Sequence, residues 1–298
     1  MNRITTSILA VTLFGYGCQT IVIKEDFSSN LPFDSLFSGP TAVRTLEETD
    51  LVEISGMVAS RQYPGYLWAH NDSGDEPRLI CLDSLGNWVA THLVEGIELR
   101  DWEDITIGLG SDSAWYLYVG EIGDNEAVHD QLYIYQIAEP SPFQSGSVTV
   151  AGTMSFVYPD GARDAETLMY DPVNDELWVV SKREERVGIY QLGTFSSTQV
   201  TPQKATFTLP FSNVVAGDIS PSGEEILIKK YDTVFYWTRE PEQSILDVLQ
   251  ATPKRLVYVP EPQGESIAWK ADELGYFTLS ERRNNVTPVL YYYSRIDE

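Results

Sequence analysis

A fivefold repeat constrains the fold of this 298-residue chain more than any other feature. Each repeat begins with a short segment that follows the same sequence pattern. The five segments are ISGMVAS (54–60), WEDITIG (102–108), AETLMYDP (165–172), AGDISPSG (216–223) and GESIAWKA (264–271). Their alignment brings into one register Ser55, Glu103, Glu166, Gly217 and Glu265. The steps between these positions are 48, 63, 51 and 48 residues. This spacing is typical of propeller blades with four strands each.

Further runs rich in β-branched and aromatic residues follow the five segments, as expected for short strands separated by turns. The fifth repeat ends after its third run, near Arg295, while residues 41–47 read as a strand upstream of the first repeat. We therefore predict an all-β propeller of five four-stranded blades, closed by the N-terminal strand. Six blades are the alternative, with the extra blade in the long second repeat, and a pair of two-sheet sandwiches is the competing architecture. Residues 244–249 could form one or two turns of helix.

The N-terminus reads as an export signal. Arg3 precedes an apolar stretch, residues 4–14, that is too short to span a bilayer, and Gly17-Cys18 follows it. A small residue before Cys at this place resembles the lipobox of bacterial lipoproteins, which implies acylation of Cys18. The predicted organisation is a signal peptide (1–18), a tether (19–39) and one propeller domain (40–298). We expect a protein anchored to the cell envelope by lipid, with a secreted or periplasmic protein as the alternative.

The formal charge of -24 limits the possible partners. Nucleic acid binding requires clustered Lys and Arg, and so does docking on an anionic membrane surface, so neither is expected. The only membrane contact that we expect is the lipid anchor. Hydrophobic residues make up 43% of the chain, enough for a packed core, so disorder is excluded as well. We expect a monomer.

Part of the negative charge falls at fixed positions in the blades. The first strand of a blade starts at the channel mouth where the second strand ends, so both positions should meet there. Like charges so close together require a cation, protonation or neighbouring Lys and Arg. Of these solutions we predict a hard divalent cation, Ca²⁺, held by carboxylate, Asn and carbonyl oxygens. The alternative for any single Asp or Asn is a turn cap without a ligand role.

A small-molecule or anionic ligand is expected beside this cation. The candidate ligand-binding residues are those at the same strand ends, namely Asp72, Glu121, Asn125, Arg163, Lys182, Asp218, Lys230, Glu281 and Arg282. Zinc is not expected, since His70, His92 and His129 show no paired ligand spacing.

The motifs EISGM, WAHNDSGD, RDWEDI, GEIGDN, YPDGARDAETL, DISPSG and QGESIA occur in this order along the chain. Over about residues 50–295 the chain resembles a group of secreted bacterial propellers related to the esterase-like phytases and, more distantly, to the gluconolactonase-like propellers. The resemblance implies a metal at the channel mouth, held by carboxylates and Asn, and the matching positions in this chain are Glu103, Glu166, Glu265, Asn71 and Asp124. It does not by itself establish a reaction, because one fold supports many functions.

Two functions of different class fit these features. The first is a ligand-binding propeller with a structural or ligand-bridging Ca²⁺. The second is a metal-dependent hydrolase of an ester, phosphoester or lactone. In the hydrolase, Lys182, Lys230, Arg163 and Arg282 would hold an anionic group, and Asp101 or Asp164 would be the general base. A five-bladed glycosidase with two carboxylates is a lesser alternative.

Overall fold

A computed structural model describes residues 31–47, 51, 53–283 and 285–296. Within these ranges the chain forms 23 strands and one short helix. The strands make five small sheets, each built around an antiparallel meander of consecutive strands. The sheets are the blades of a five-bladed β-propeller, so the predicted fold class and blade number are confirmed.

Two short strands precede the blades, β1 (Phe33–Asp34) and β2 (Thr41–Thr45). The first blade consists of β3 (Ile54–Ala59), β4 (Tyr66–Asn71), β5 (Arg78–Asp83) and β6 (Trp88–Glu95). The second consists of β7 (Trp102–Leu109), β8 (Trp115–Glu121), β9 (Leu132–Ala138) and, after β10 (Gly146–Thr149), β11 (Gly152–Phe156). The third consists of β12 (Ala165–Asp171), β13 (Glu176–Ser181), β14 (Ile189–Gly193) and, after β15 (Gln199–Val200), β16 (Gln203–Lys204).

The fourth blade consists of β17 (Val214–Ile219), β18 (Glu225–Lys230), β19 (Val234–Thr238) and, after helix α1 (Ile245–Gln250), β20 (Lys254–Leu256). The fifth consists of β21 (Ser266–Trp269), β22 (Gly275–Leu279) and β23 (Val289–Ser294), and β2 pairs antiparallel with β23 as its outermost strand. Strands β1, β10 and β15 pair in parallel with the outer strands of the fourth, first and second blades. Ser244 caps helix α1 in a capping box, close to the predicted helical turn.

The five innermost strands stand side by side around the central channel, and β21 lies against β3. Hydrogen bonds from side chains to the backbone of the next inner strand connect four of the five neighbouring pairs. They are Ser266 Oγ to Ser55 O (3.0 Å), Ser55 Oγ to Glu103 O (2.7 Å), Leu168 N to Asp104 Oδ2 (2.8 Å) and Trp269 N to Asp218 Oδ2 (2.8 Å). Two buried carboxylates therefore tie blades together by accepting backbone hydrogen bonds.

The hydrophobic core is divided among the contacts between neighbouring blades. One cluster, for example, joins Met169 and Trp178 of the third blade to Ile226 and Phe235 of the fourth. Trp68 and Trp269 are completely buried in these contacts. Cys81 is also buried and carries a free thiol. Burial of such large side chains supplies most of the favourable free energy of folding in a sheet protein of this kind.

Four of the inner strands contain a β-bulge near their start. The positions of these bulges align the repeats more accurately than the sequence pattern does. The pairing of inner and second strands skips one residue at Ser55, Glu103 and Glu166 in the first three blades. In the fourth blade the skipped residue is Val215. The alignment of Gly217 with Ser55, Glu103 and Glu166 is therefore wrong by two residues, and Gly217 is packed against Thr167 and Met169 with no room for a side chain.

The predicted signal peptide, Cys18 and the first part of the tether lie outside the described residues. No helix within the described ranges is long and apolar enough to cross a bilayer.

Candidate functional site

The starts of the inner strands meet the ends of the second strands at one end of the channel. The register pairs Ile54 with Asn71 in the first blade and Trp102 with Glu121 in the second. A cavity of about 340 Å³ opens there, and we call it the mouth cavity. It is lined by Glu53, Asp72, Glu103, Asn125, Glu166, Lys182, Arg183, Asn213, Tyr231, Gln263, Glu265, Glu281 and Arg283. Its wall is thus almost entirely polar, and six of its thirteen residues are acidic against three that are basic.

Three carboxylates at this mouth form a group that can hold a metal ion. Oxygen atoms of Asp72, Asp101 and Glu103 all lie within 4.8 Å of one another. Glu103 is buried, and the two aspartates are partly exposed. A donor set made only of carboxylate oxygens suits a hard divalent cation. We call these three residues the acidic triad.

The backbone beside the acidic triad is shaped to fit it. Gly123, in the loop after β8, lies so close that a Cβ atom would collide with carboxylate oxygens of both Asp101 and Glu103. Glu103 owes its direction to the bulge at the start of β7, because an extra residue in one strand of a pair re-aims its side chain. Loop and strand irregularities therefore bring the three carboxylates together.

Burial and mutual repulsion favour the protonated forms of the triad. Burial and the neighbouring Asp72 carboxylate raise the pKa of Asp101 to about 7, and the two carboxyl groups share a hydrogen bond. Burial also raises the pKa of Asp72, and burial together with the charges of Asp72 and Asp101 raises the pKa of Glu103 well above its usual range. A divalent cation would replace the proton that these groups otherwise share.

Lys182 provides the central positive charge of the mouth cavity. Its ammonium forms a close ion pair with Glu166 and lies 3.7 Å from Oε1 of Glu265. The hydroxyl of Tyr231 donates a 2.5 Å hydrogen bond to the same oxygen of Glu265. Two of the predicted metal ligands, Glu166 and Glu265, are therefore in the cavity but are bound to an internal cation.

A second pair of carboxyl groups lies beside this ion pair. Glu281 hydrogen-bonds Glu265, and burial together with that bond raises the pKa of Glu281 to about 9. Glu53 stands at the edge of the cavity, where partial burial and the charge of Asp72 raise its pKa as well. The mouth cavity therefore carries excess negative charge, part of which is neutralised by shared protons.

A salt bridge lies in the part of the cavity wall that the third blade contributes. Nε of Arg183 lies 2.5 Å from Oδ2 of Asp164, and the same guanidinium is bound to Asn125. The other oxygen of Asp164 accepts a 2.9 Å hydrogen bond from the backbone N–H of Asp124. Asp164, one of the two predicted general bases, is thus engaged on both oxygens, whereas Asp101 belongs to the acidic triad.

Several predicted ligand residues form hydrogen bonds within loops and do not line the mouth cavity. The carboxylate of Asp124 accepts hydrogen bonds from the backbone N–H groups of Val128 and His129 (2.8 and 2.9 Å), the turn cap that was the alternative for such a residue. The side chain of Asn71 donates to Asp75 over 2.6 Å. Of the five predicted metal ligands, only Glu103 belongs to the acidic triad.

Glu121 and three of the predicted cationic ligand residues also have partners outside the mouth cavity. Glu121 lies 3.6 Å from Arg100. Arg163 binds Asp160 and Glu184, Lys230 lies 3.5 Å from Asp232, and Arg282 donates to the carbonyl oxygen of Leu46 over 3.0 Å. Asp218 is buried deeper, where it binds the backbone of Trp269. Four of the predicted ligand-binding residues do line the mouth cavity, namely Asp72, Asn125, Lys182 and Glu281.

The lining also contains residues that the sequence did not single out, namely Arg183, Asn213, Tyr231, Gln263 and Arg283. Two of them directly follow a predicted residue that does not line the cavity, since Tyr231 follows Lys230 and Arg283 follows Arg282. Successive side chains point to opposite sides of an extended chain, so an error of one residue reverses the direction. The sequence pattern therefore located these strand ends to within one residue. It did not show which of two neighbouring side chains faces the cavity.

Comparison with known proteins adds no family to this description. No protein-family model matches the chain, and no curated protein matches its sequence.

Proposed function

We propose that this protein is an extracytoplasmic β-propeller that binds a small polar ligand at its channel mouth beside a divalent cation, with Ca²⁺ as the expected ion. The observation that carries the proposal is the convergence of Asp72, Asp101 and Glu103 at the edge of the mouth cavity. Bringing three like charges together, one of them buried, is unfavourable without a counter-charge. A cation in the acidic triad would supply it and would leave the rest of the cavity open to a ligand.

The size and lining of the mouth cavity support ligand binding. About 340 Å³ is enough for a small molecule and exceeds the space that one ion needs. The amide groups of Asn125, Asn213 and Gln263 add neutral donors and acceptors to the charged wall. The extracytoplasmic location and the lipid anchor on Cys18 rest on the N-terminal sequence alone, and the resemblance to secreted propellers rests on the motifs within residues 50–295.

The test is calcium binding by the full propeller after treatment with EDTA. Added Ca²⁺ should bind in isothermal titration and should stabilise the protein, by about 2.7 kcal/mol when its concentration is a hundred times Kd. Asp101→Asn should abolish this calcium-dependent stabilisation. Asp130→Asn, at an exposed position in the loop after β8, is the matched control and should keep it. The proposal fails if Ca²⁺ neither binds nor changes the stability of the wild type.

A metal-dependent hydrolase is the second candidate. Its specific support is Asp101, whose pKa of about 7 at the cavity edge would suit a group that exchanges protons at neutral pH. A bound cation would polarise a substrate oxygen and lower the pKa of a water molecule. Chromogenic esters, phosphoesters and lactones should then be hydrolysed by the wild type and not by Glu103→Gln. Equal inactivity of both proteins would favour the binding protein.

A further inference from the structure

Glu166 leaves one hydrogen-bond acceptor unsatisfied in the mouth cavity. The residue is only 4% exposed, and one of its carboxylate oxygens pairs with Lys182. The other oxygen, Oε2, is buried and has no hydrogen-bond partner among the described residues. Because a buried acceptor without a partner is costly and Glu166 lines the open mouth cavity, this atom points to a donor on a bound molecule.

The charge of the wall favours a positively charged donor. Six carboxylates line the cavity, against the three cationic residues Lys182, Arg183 and Arg283. Lys182 and Arg183 are already committed to Glu166 and Asp164. Asp101 adds a seventh carboxylate at the edge, so even a divalent ion in the acidic triad leaves an excess of negative charge. An anionic group would meet mainly like charge here.

A group with N–H donors fits better than a quaternary ammonium. Oε2 of Glu166 requires a hydrogen-bond donor, which a fully alkylated nitrogen lacks. The ring of Tyr231 offers a further surface for a cation, since the ammonium of Lys182 already lies 5.6 Å from its centroid. The cavity of about 340 Å³ is large enough for a small organic molecule.

We propose that the mouth cavity binds the primary ammonium group of a small organic ligand, with Oε2 of Glu166 accepting a hydrogen bond from it. This inference rests on the proposed function in that it takes the mouth cavity to be the ligand site. It goes beyond that function by assigning the chemical class of the ligand and the atom that recognises it.

The first test uses the calcium-loaded wild-type protein and four probes of similar size: butylamine, butanol, butyrate and tetramethylammonium. Binding is measured by saturation-transfer NMR and isothermal titration. Butylamine should bind at least about tenfold more tightly than the other three, because a charged hydrogen bond is lost with each of them. Equal affinity for butylamine and butanol, or no binding of butylamine, would overturn the inference. This arm needs no variant and so does not depend on the folding of one.

The second test removes the acceptor charge with Glu166→Gln. The matched control is Glu185→Gln, which removes the same charge from an exposed position in the same blade. Glu166→Gln should weaken butylamine binding about tenfold or more, while Glu185→Gln should leave it unchanged. The same loss in both variants would reduce the effect to overall charge and contradict a role for Oε2.

A calcium titration on the same samples separates the two proposals. Calcium binding without butylamine binding refutes the ammonium site and leaves the metal site intact. Butylamine binding by a wild-type protein that does not bind calcium refutes the metal site and keeps the ammonium site.

Discussion

At the scale of single residues, the site depends on carboxyl groups that hold protons they would lose in the unfolded chain. Asp101 shares a hydrogen bond with Asp72, and Glu281 shares one with Glu265. Their raised pKa values mean that the folded protein binds protons more tightly than the unfolded chain, in which carboxyl groups titrate near about 4. Proton binding therefore couples the mouth cavity to the stability of the whole protein.

The first prediction concerns stability against pH. In EDTA, the free energy of unfolding should fall as the pH rises from about 5 to about 9, because the unfolded chain has already released the protons that Asp101 and Glu281 keep up to pH values of about 7 and about 9. Thermal unfolding at several pH values measures this slope. Calcium should flatten the slope below about pH 7, and Glu281→Gln should reduce the slope over the whole range up to about pH 9. A stability that rises with pH in EDTA would contradict the assignment, and Glu185→Gln should leave the slope unchanged.

The second prediction concerns Gly123. In Gly123→Ala the new Cβ would collide with the oxygens of Asp101 and Glu103, so these carboxylates must move apart. We expect weaker calcium binding and a loss of about 1–3 kcal/mol in stability, the usual range for overpacking. Isothermal titration and urea unfolding measure the two effects. Gly39→Ala is the control, since no atom lies within 4 Å of its added Cβ. Unchanged calcium affinity in Gly123→Ala would show that the loop does not shape the triad.

At the scale of elements, β-bulges place the functional side chains. An inner strand without a bulge would alternate its side chains strictly between the two faces. The extra residue at Glu103 in β7 and at Glu166 in β12 breaks this alternation at the channel mouth. In β17 the corresponding residue is the apolar Val215, so the fourth blade adds no carboxylate from this position. The blades therefore contribute unequal numbers of carboxylates to the wall of the mouth cavity.

The third prediction concerns the N-terminal strand. Strand β2 pairs with β23 and covers what would otherwise be an exposed sheet edge. A chain beginning at residue 46 should therefore unfold at a lower temperature and aggregate more readily than a chain beginning at residue 40, which retains β2. Calorimetry and size-exclusion chromatography compare the two. The comparison controls for the loss of β1, because both chains lack it. Equal melting temperatures would mean that ring closure does not depend on β2.

At the scale of the whole molecule, a net charge of -24 repels itself in the folded state. Compact proteins far from neutrality are destabilised by this repulsion, and salt screens it. The buried carboxylates Asp104 and Asp218 are not part of the screened surface, since each accepts a backbone hydrogen bond that ties neighbouring inner strands together. Salt that screens surface repulsion and calcium that binds in the mouth cavity should therefore raise the stability of the protein at different ion concentrations.

The fourth prediction follows from that separation. Sodium chloride and potassium chloride should raise the melting temperature equally and gradually up to about 0.15 M, since screening does not depend on the identity of the ion. Calcium chloride should act at much lower concentration in the wild type. In Asp101→Asn, calcium should show no effect at concentrations where sodium shows none. A different response to sodium and potassium would point to a specific monovalent site.

The sequence by itself determined the number of blades, because every blade must bury the same kinds of strands and so repeats the same pattern of β-branched and aromatic residues. It also located the channel mouth, since Glu103, Glu166, Glu265 and Glu281 all lie in the mouth cavity. The short outer strands β1 and β15 could not be predicted, because segments of two residues carry no periodic signal.

The grouping of the carboxylates depends on tertiary contacts. The sequence pattern aligns Gly217 where Val215 belongs, and Asp72 and Asp101 rather than Glu166 and Glu265 join Glu103 in the triad. The physical reason is that a bulge adds one residue without a marker in the sequence, and one residue reverses the direction of a side chain. Which carboxylate meets another carboxylate and which meets Lys182 is then set by contacts between blades that lie far apart along the chain.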